Sequence, residues 1–117
     1  MAGLPIDLAV LDKIAPDTVD KIDILKDFIA ETQSDLTNLD EALKRDDFPA
    51  ATHIAHCIKG AGAMIGAHDL AARCAAVELA SQQAVVACTD AVKAELERLS
   101  DFFDKVLAVD TRSNGLG

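Results

Sequence analysis

Residues 49–66 read PAATHIAHCIKGAGAMIG and place two of the three histidines, a cysteine, a lysine and three glycines within one stretch. A neutral imidazole is a good nucleophile near pH 7, because its unperturbed pKa is about 6.5. If His56 accepts a phosphoryl group, Lys59 at i+3 lies beside the added oxygens and offsets their charge. Gly60, one turn on at i+4, has no side chain to block a partner approaching the ring. A glycine inside a helix costs on the order of 0.5–1 kcal/mol relative to alanine, so its presence asks for a reason. Access to His56 is a sufficient one.

Simpler readings compete at the neighbouring positions. His53 and His68 read as surface residues, with His53 near the rim of any surface that meets a partner. His53 and Cys57 have the i, i+4 spacing that can hold a metal, with His56 adjacent. Without a distant further ligand they make a poor zinc site, so no metal is expected. The run Gly60-x-Gly62-x-x-x-Gly66 superficially matches a dinucleotide loop, but that fingerprint needs a preceding strand, and a helix precedes it here. Gly62 reads as a site of close helix packing.

Five helical segments must position these residues. Asp7 to Ala15 sets Leu8, Leu11 and Ile14 on one stripe and stops at Pro16. Asp17 is a credible N-cap, and Asp20 suits the positive end of the next helix dipole. Ile22, Leu25, Phe28, Ile29, Leu36, Leu39 and Leu43 then recur at three- and four-residue spacing, and the pattern fades at Lys44-Arg45-Asp46-Asp47. The third segment runs from about Phe48 to Ile65, with Pro49 just inside its start and Gly66 as its stop.

At about 100° per residue this third helix puts Ala51, Ile54, Ile58 and Ile65 on a core face. Thr52, His56, Lys59, Gly60 and Ala63 fall on the opposite side. The fourth helix, from about His68 into the 80s, buries Leu70, Cys74 and Val77. The fifth carries Val92, Leu96, Leu99, Phe102, Phe103 and Val106. The turn between these two falls within Gln82–Thr89, with Thr89 a candidate N-cap. Asp110 to Gly117 reads as a polar tail, so the domain spans 1–109. Short connections favour antiparallel neighbours. The expected fold is therefore all-α: an antiparallel up-and-down four-helix bundle with a short extra N-terminal helix.

Composition narrows the function. The chain has 117 residues, 50% of them hydrophobic, enough for one domain with a core. With 20 acidic against 11 basic side chains it carries a formal charge of −9, which argues against nucleic acid. Four Phe, no Trp and no Tyr give base stacking little support. No apolar run approaches the roughly 18–20 residues of a membrane span, and the opening MAGLPIDLAV lacks the basic region of a secretory signal. The three cysteines are odd in number and widely spaced, which suits reduced thiols in a cytoplasmic compartment and a packed Cys74.

The pattern His56-x-Ile58-Lys59-Gly60, five residues, Gly66, three residues, Leu70, three residues, Cys74, two residues, Val77-Glu78 resembles the signature of histidine-containing phosphotransfer (HPt) domains. The upstream segment LAVLDKIAPDTVDKIDILKDFIAETQSDLTNLDEALKRDD looks like the opening of HPt modules that end hybrid sensor kinases. Ile58 and Val77 stand where leucine is common. The resemblance spans roughly residues 7 to 107.

It implies a monomeric phosphocarrier with no nucleotide site and no cofactor of its own, the Mg²⁺ belonging to the partner. His56 would take a phosphoryl group from the aspartate of a receiver domain of a hybrid histidine kinase. It would pass that group to a downstream response regulator, with Lys59 neutralising charge and Gly60 giving access. Gly66 would end the helix, Leu70, Cys74 and Val77 would be core, and Glu78 would be a structural polar residue near the surface. Thr52, His53, Ala63 and Met64 would line the docking surface. The alternative of the same fold is a helical module that binds a receiver or kinase without carrying phosphate. An intact His56 beside Lys59 and Gly60 favours the carrier.

Overall fold

The structure, a computed structural model, describes residues 4–107, with the side chains of 106 and 107 excepted. Among these residues the chain forms five α-helices, α1 (Leu8–Ile14), α2 (Thr18–Lys44), α3 (Phe48–Ile65), α4 (His68–Leu79) and α5 (Val85–Phe102), then a π-helical turn, Phe103–Leu107. The expected tail 110–117 lies outside the described residues.

Helices α2 to α5 make the bundle: α2 packs on α3, α3 on α4, α4 on α5, and α5 closes back onto α2. Leu25, Leu36 and Leu39 of α2 meet Ala55 and Ile58 of α3, Leu70, Cys74 and Val77 of α4, and Val92, Leu96 and Leu99 of α5 in one core. Full burial of each such leucine contributes about 1.5–3 kcal/mol before the entropy of ordering is counted. Thr32 and Ala42 are also buried on the α2 stripe, while Ile22 and Leu43 stay partly buried.

The junctions explain the helix boundaries. Lys44 ends α2, Asp46 turns the chain with a positive φ of 56°, and the Asp47 carboxylate accepts from the Ala50 N–H at 3.2 Å. Pro49 follows in the first turn of α3, where a missing N–H is harmless. At the other end Gly66 is left-handed, with φ 88°, and a Cβ there would stand 2.7 Å from the Asp7 carbonyl oxygen. The Asp7 N–H donates to the Gly66 carbonyl at 2.8 Å, so the segment before α1 is tied to the end of α3. Gly66 is thus required twice, by its φ and by close approach.

Several expectations change. Of the Leu8, Leu11 and Ile14 stripe only Leu11 is buried, because a seven-residue helix crossing the bundle end touches α3 through one turn. Ile6 and Ala15, flanking α1, are also buried. Asp17 stands at the N-cap of α2, but its side chain makes no capping hydrogen bond. Ile54 is only partly buried, and Ala55 and Gly62 take its place on the core face of α3.

Helix α4 stops at Leu79 rather than in the 80s, and α5 begins at Val85. Ser81 sets that turn: its hydroxyl accepts from the Ala84 N–H at 3.3 Å and its carbonyl accepts from Ala84 and Val85 at 3.0 Å. Thr89 is therefore no cap. It lies inside α5, 1% exposed, with a hydroxyl that has no hydrogen-bond partner. Val106 falls in the π-turn beyond α5.

Candidate functional site

Helix α3 turns Ala51, Ala55, Ile58, Gly62 and Ile65 inward and leaves His56 on the outside, its side chain 63% exposed. Lys59, one turn on, is half-buried where α3 meets α4. Facing both is Glu78, from the last turn of α4. Lys59 Nζ donates to Glu78 Oε2 at 3.1 Å and sits 2.9 Å from Oε1, while His56 Nδ1 lies 3.3 Å from the same Oε1. One carboxylate faces both side chains of α3.

The electrostatics follow from this arrangement. The Lys59 hydrogen bond holds the Glu78 carboxyl below its usual range against a desolvation that works to raise it, and the Lys59 and His56 charges add to the lowering. His56 Nδ1 approaches Oε1 without hydrogen-bond geometry, and Oε1 has no hydrogen-bond partner. An ionised carboxylate can only accept, so its charge favours the proton on Nδ1 and the lone pair on Nε2. This is the arrangement a nucleophilic imidazole needs: one nitrogen oriented, the other free.

Around the ring there is little bulk. A Cβ added at Gly60 would meet nothing within 4 Å, so packing does not require a glycine there. Gly62 differs, with a Cβ lying 3.5 Å from the Ala67 carbonyl oxygen and 3.8 Å from the Phe28 ring. Thr52 is half-buried on the same helix, and His53 and Ala63 are exposed. Met64 is 74% exposed, a large apolar side chain offered to solvent. His68 stands apart at the start of α4, its Nε2 3.5 Å from Asp7.

Beneath the cluster lies Cys74, fully buried, its thiol pushed up to about 12 by burial and then by the neighbouring Glu78 charge. A thiol held neutral in this way is packing material rather than a second nucleophile. Among the described residues no group of three or more histidine, cysteine or acidic side chains is placed to hold a metal.

Glu78 as the partner of His56 was beyond sequence reasoning, because it lies 22 positions away on another helix and no periodicity links the two. One physical signal was present. Glu78 ends α4, where a negative charge opposes the helix dipole, so it calls for a compensating cation.

Residues 23–102 match the Hpt domain family, more than half of the chain. This chain belongs to the Hpt domain family. A phosphotransfer role in two-component signalling goes with that membership, and Hpt domains are phosphocarriers rather than kinases. The fold is similar to the crystal structure of histidine-containing phosphotransfer protein B from Pseudomonas aeruginosa PAO1. That match has a TM-score of 0.80 and 24% identity, and covers 92% of this chain and 97% of that one. No curated protein matches the sequence. None of the helices among the described residues is long and apolar enough to cross a membrane.

Proposed function

We propose that this Hpt domain is a phosphocarrier in a multistep phosphorelay and that Nε2 of His56 is the atom that carries the phosphoryl group. The reading rests on one observation: His56 is exposed, with Nδ1 held 3.3 Å from Glu78 and its other nitrogen unheld. The donor is the aspartyl phosphate of a receiver domain, such as that of a hybrid histidine kinase. The Nε2 lone pair forms the N–P bond as the P–O bond to aspartate breaks, and the aspartate leaves as a carboxylate. Positive charge gathers on the ring as the bond forms, and Glu78 at Nδ1 stabilises it.

Such a transfer asks for alignment and charge neutralisation more than for covalent help from the protein. Lys59, already within 3.1 Å of Glu78, needs only a side-chain swing to reach the new phosphoryl oxygens. Gly60 leaves room for the partner, and Thr52, His53, Ala63 and Met64 form the docking rim around the ring. Mg²⁺ is supplied by the acidic pocket of the receiver. In the second half-reaction the aspartate of a downstream response regulator attacks phosphorus and the imidazole leaves, taking back its lone pair.

The test is transfer of radiolabel from a phosphorylated receiver to the purified chain, with His56→Gln alongside. The expected label is acid-labile and alkali-stable, absent from the variant, and passed on to a second receiver. Undiminished label in His56→Gln overturns the assignment.

A further inference from the structure

Leu79 ends α4 with its side chain in solvent, 88% exposed, the most open large apolar residue among those described. It follows Glu78, whose Oε1 lies 3.3 Å from His56 Nδ1, so its α-carbon is about 3.8 Å from that of a residue beside the ring. The helix fixes its direction. At about 100° per residue the core residues Cys74 and Val77 lie to one side of Glu78, and Ala75 and Leu79 to the other. Ala71 and Ala75, both half-buried, continue into Leu79 as one i, i+4 row on the outward flank of Glu78. Met64, 74% exposed, lies two turns beyond His56 on α3, on the side of the ring away from Lys59. The ring is thus flanked by two large apolar side chains, one from each helix.

The chemistry of transfer says what covers the α4 flank. Phosphorus has to come within about 3–3.5 Å of the accepting nitrogen, so the surface of the donor closes over the surroundings of His56. Even a transient complex buries about 600 Å² on each partner, a disc about 14 Å in radius. A disc of that size centred on His56 crosses from α3 onto the last turn of α4 and takes in Leu79. We propose that Leu79 is the apolar anchor of the receiver-docking surface on α4, seated against an apolar side chain beside the aspartate pocket of the receiver. The inference rests on the phosphocarrier reading above and extends its docking rim, drawn from α3 alone, to a second helix.

A leucine suits a carrier that meets two different receivers through one ring. Apolar contact is non-directional and favours any partner that excludes water from it, whereas an ion pair selects one pattern of charge. The same anchor therefore serves both half-reactions. Leu79 does not touch the reacting atoms, so it sets the affinity of the encounter and leaves the maximal rate of transfer alone.

The test follows labelling of the full chain at rising concentrations of a phosphorylated receiver, and passage of label from the loaded chain to a second receiver. In Leu79→Ser the receiver concentration for half-maximal transfer is expected to rise about tenfold or more in both steps, with the maximal rate held within about twofold. Leu79→Met should restore the parent value. Val86→Ser, which alters a 56% exposed side chain in the first turn of α5, should leave it unchanged. Leu79 stands in solvent, so thermal unfolding of its variants should match that of the parent chain. Both substitutions are uncharged, so nitrogen-15 NMR should find the His56 tautomer unaltered. An unchanged half-maximal concentration in Leu79→Ser, or a loss confined to the maximal rate, overturns the anchor. So does a parent chain that self-associates through Leu79 in sedimentation while transfer is indifferent to Leu79→Ser. A parent chain that takes no label condemns the phosphocarrier reading and this inference with it, whereas normal labelling of both parent and Leu79→Ser removes the anchor alone.

Discussion

Glu78 occupies a position that is unfavourable on two counts, at the negative end of α4 and only 20% exposed, and Lys59 is what keeps it ionised there. Glu78→Gln retains the shape and can still accept from Lys59, but it no longer dictates which nitrogen of His56 bears the proton. Nitrogen-15 NMR of His56 is expected to shift from the Nδ1–H tautomer toward Nε2–H, and transfer to slow on the order of tenfold or more. The pH dependence carries a definite sign. The folded Glu78 titrates below its unfolded range, so its contribution to stability is complete above the unfolded range and lost as acid brings the pH down through the folded value. Denaturant titrations over a pH series should find that acid-side loss reduced in Glu78→Gln. Neighbouring thiols divide by the same logic of exposure: Cys57 is open to reagents, while Cys74 is buried with its thiol at about 12.

Within the elements, two glycines of α3 make opposite demands. Gly60→Ala adds a Cβ into empty space and should stabilise the fold by about 0.5–1 kcal/mol, while Gly60→Phe should leave the fold intact and block transfer. Gly66→Ala places its Cβ against the Asp7 carbonyl at a φ of 88°, and should destabilise by about 1–3 kcal/mol in thermal or denaturant unfolding. The boundaries of α3 were legible in the sequence because Asp47, Pro49 and Gly66 act locally, each through its own backbone. The α4–α5 turn was not, since it uses neither glycine nor proline and depends on one serine, Ser81, whose capping role shows only once the chain has turned. The α1 stripe misled for a different reason: periodicity marks an apolar face, but how much of it is covered depends on what the bundle end has to offer. His56, Lys59 and Gly60 were legible because one helix carries all three. Their link to Glu78 was tertiary.

Across the whole molecule, the core runs from α1 to α5, and the Thr89 hydroxyl is buried within it without a hydrogen-bond partner. Thr89→Val replaces that hydroxyl with a methyl of the same shape and should raise stability by about 1 kcal/mol in chemical unfolding. Cys74, at the centre of that core, should resist alkylation in native buffer and react only when the bundle opens, so its labelling rate reports the global unfolding free energy. The Lys59–Glu78 pair is also a strut, joining α3 to the last turn of α4. If His56 carries a phosphoryl group as proposed, that group competes with Glu78 for the lysine and loosens the strut. The charged and uncharged carriers should then differ in rigidity, with amide exchange near Leu79 and Ala80 quickening on phosphorylation. A receiver meeting the loaded domain would then encounter a looser end of α4 than one meeting the empty domain.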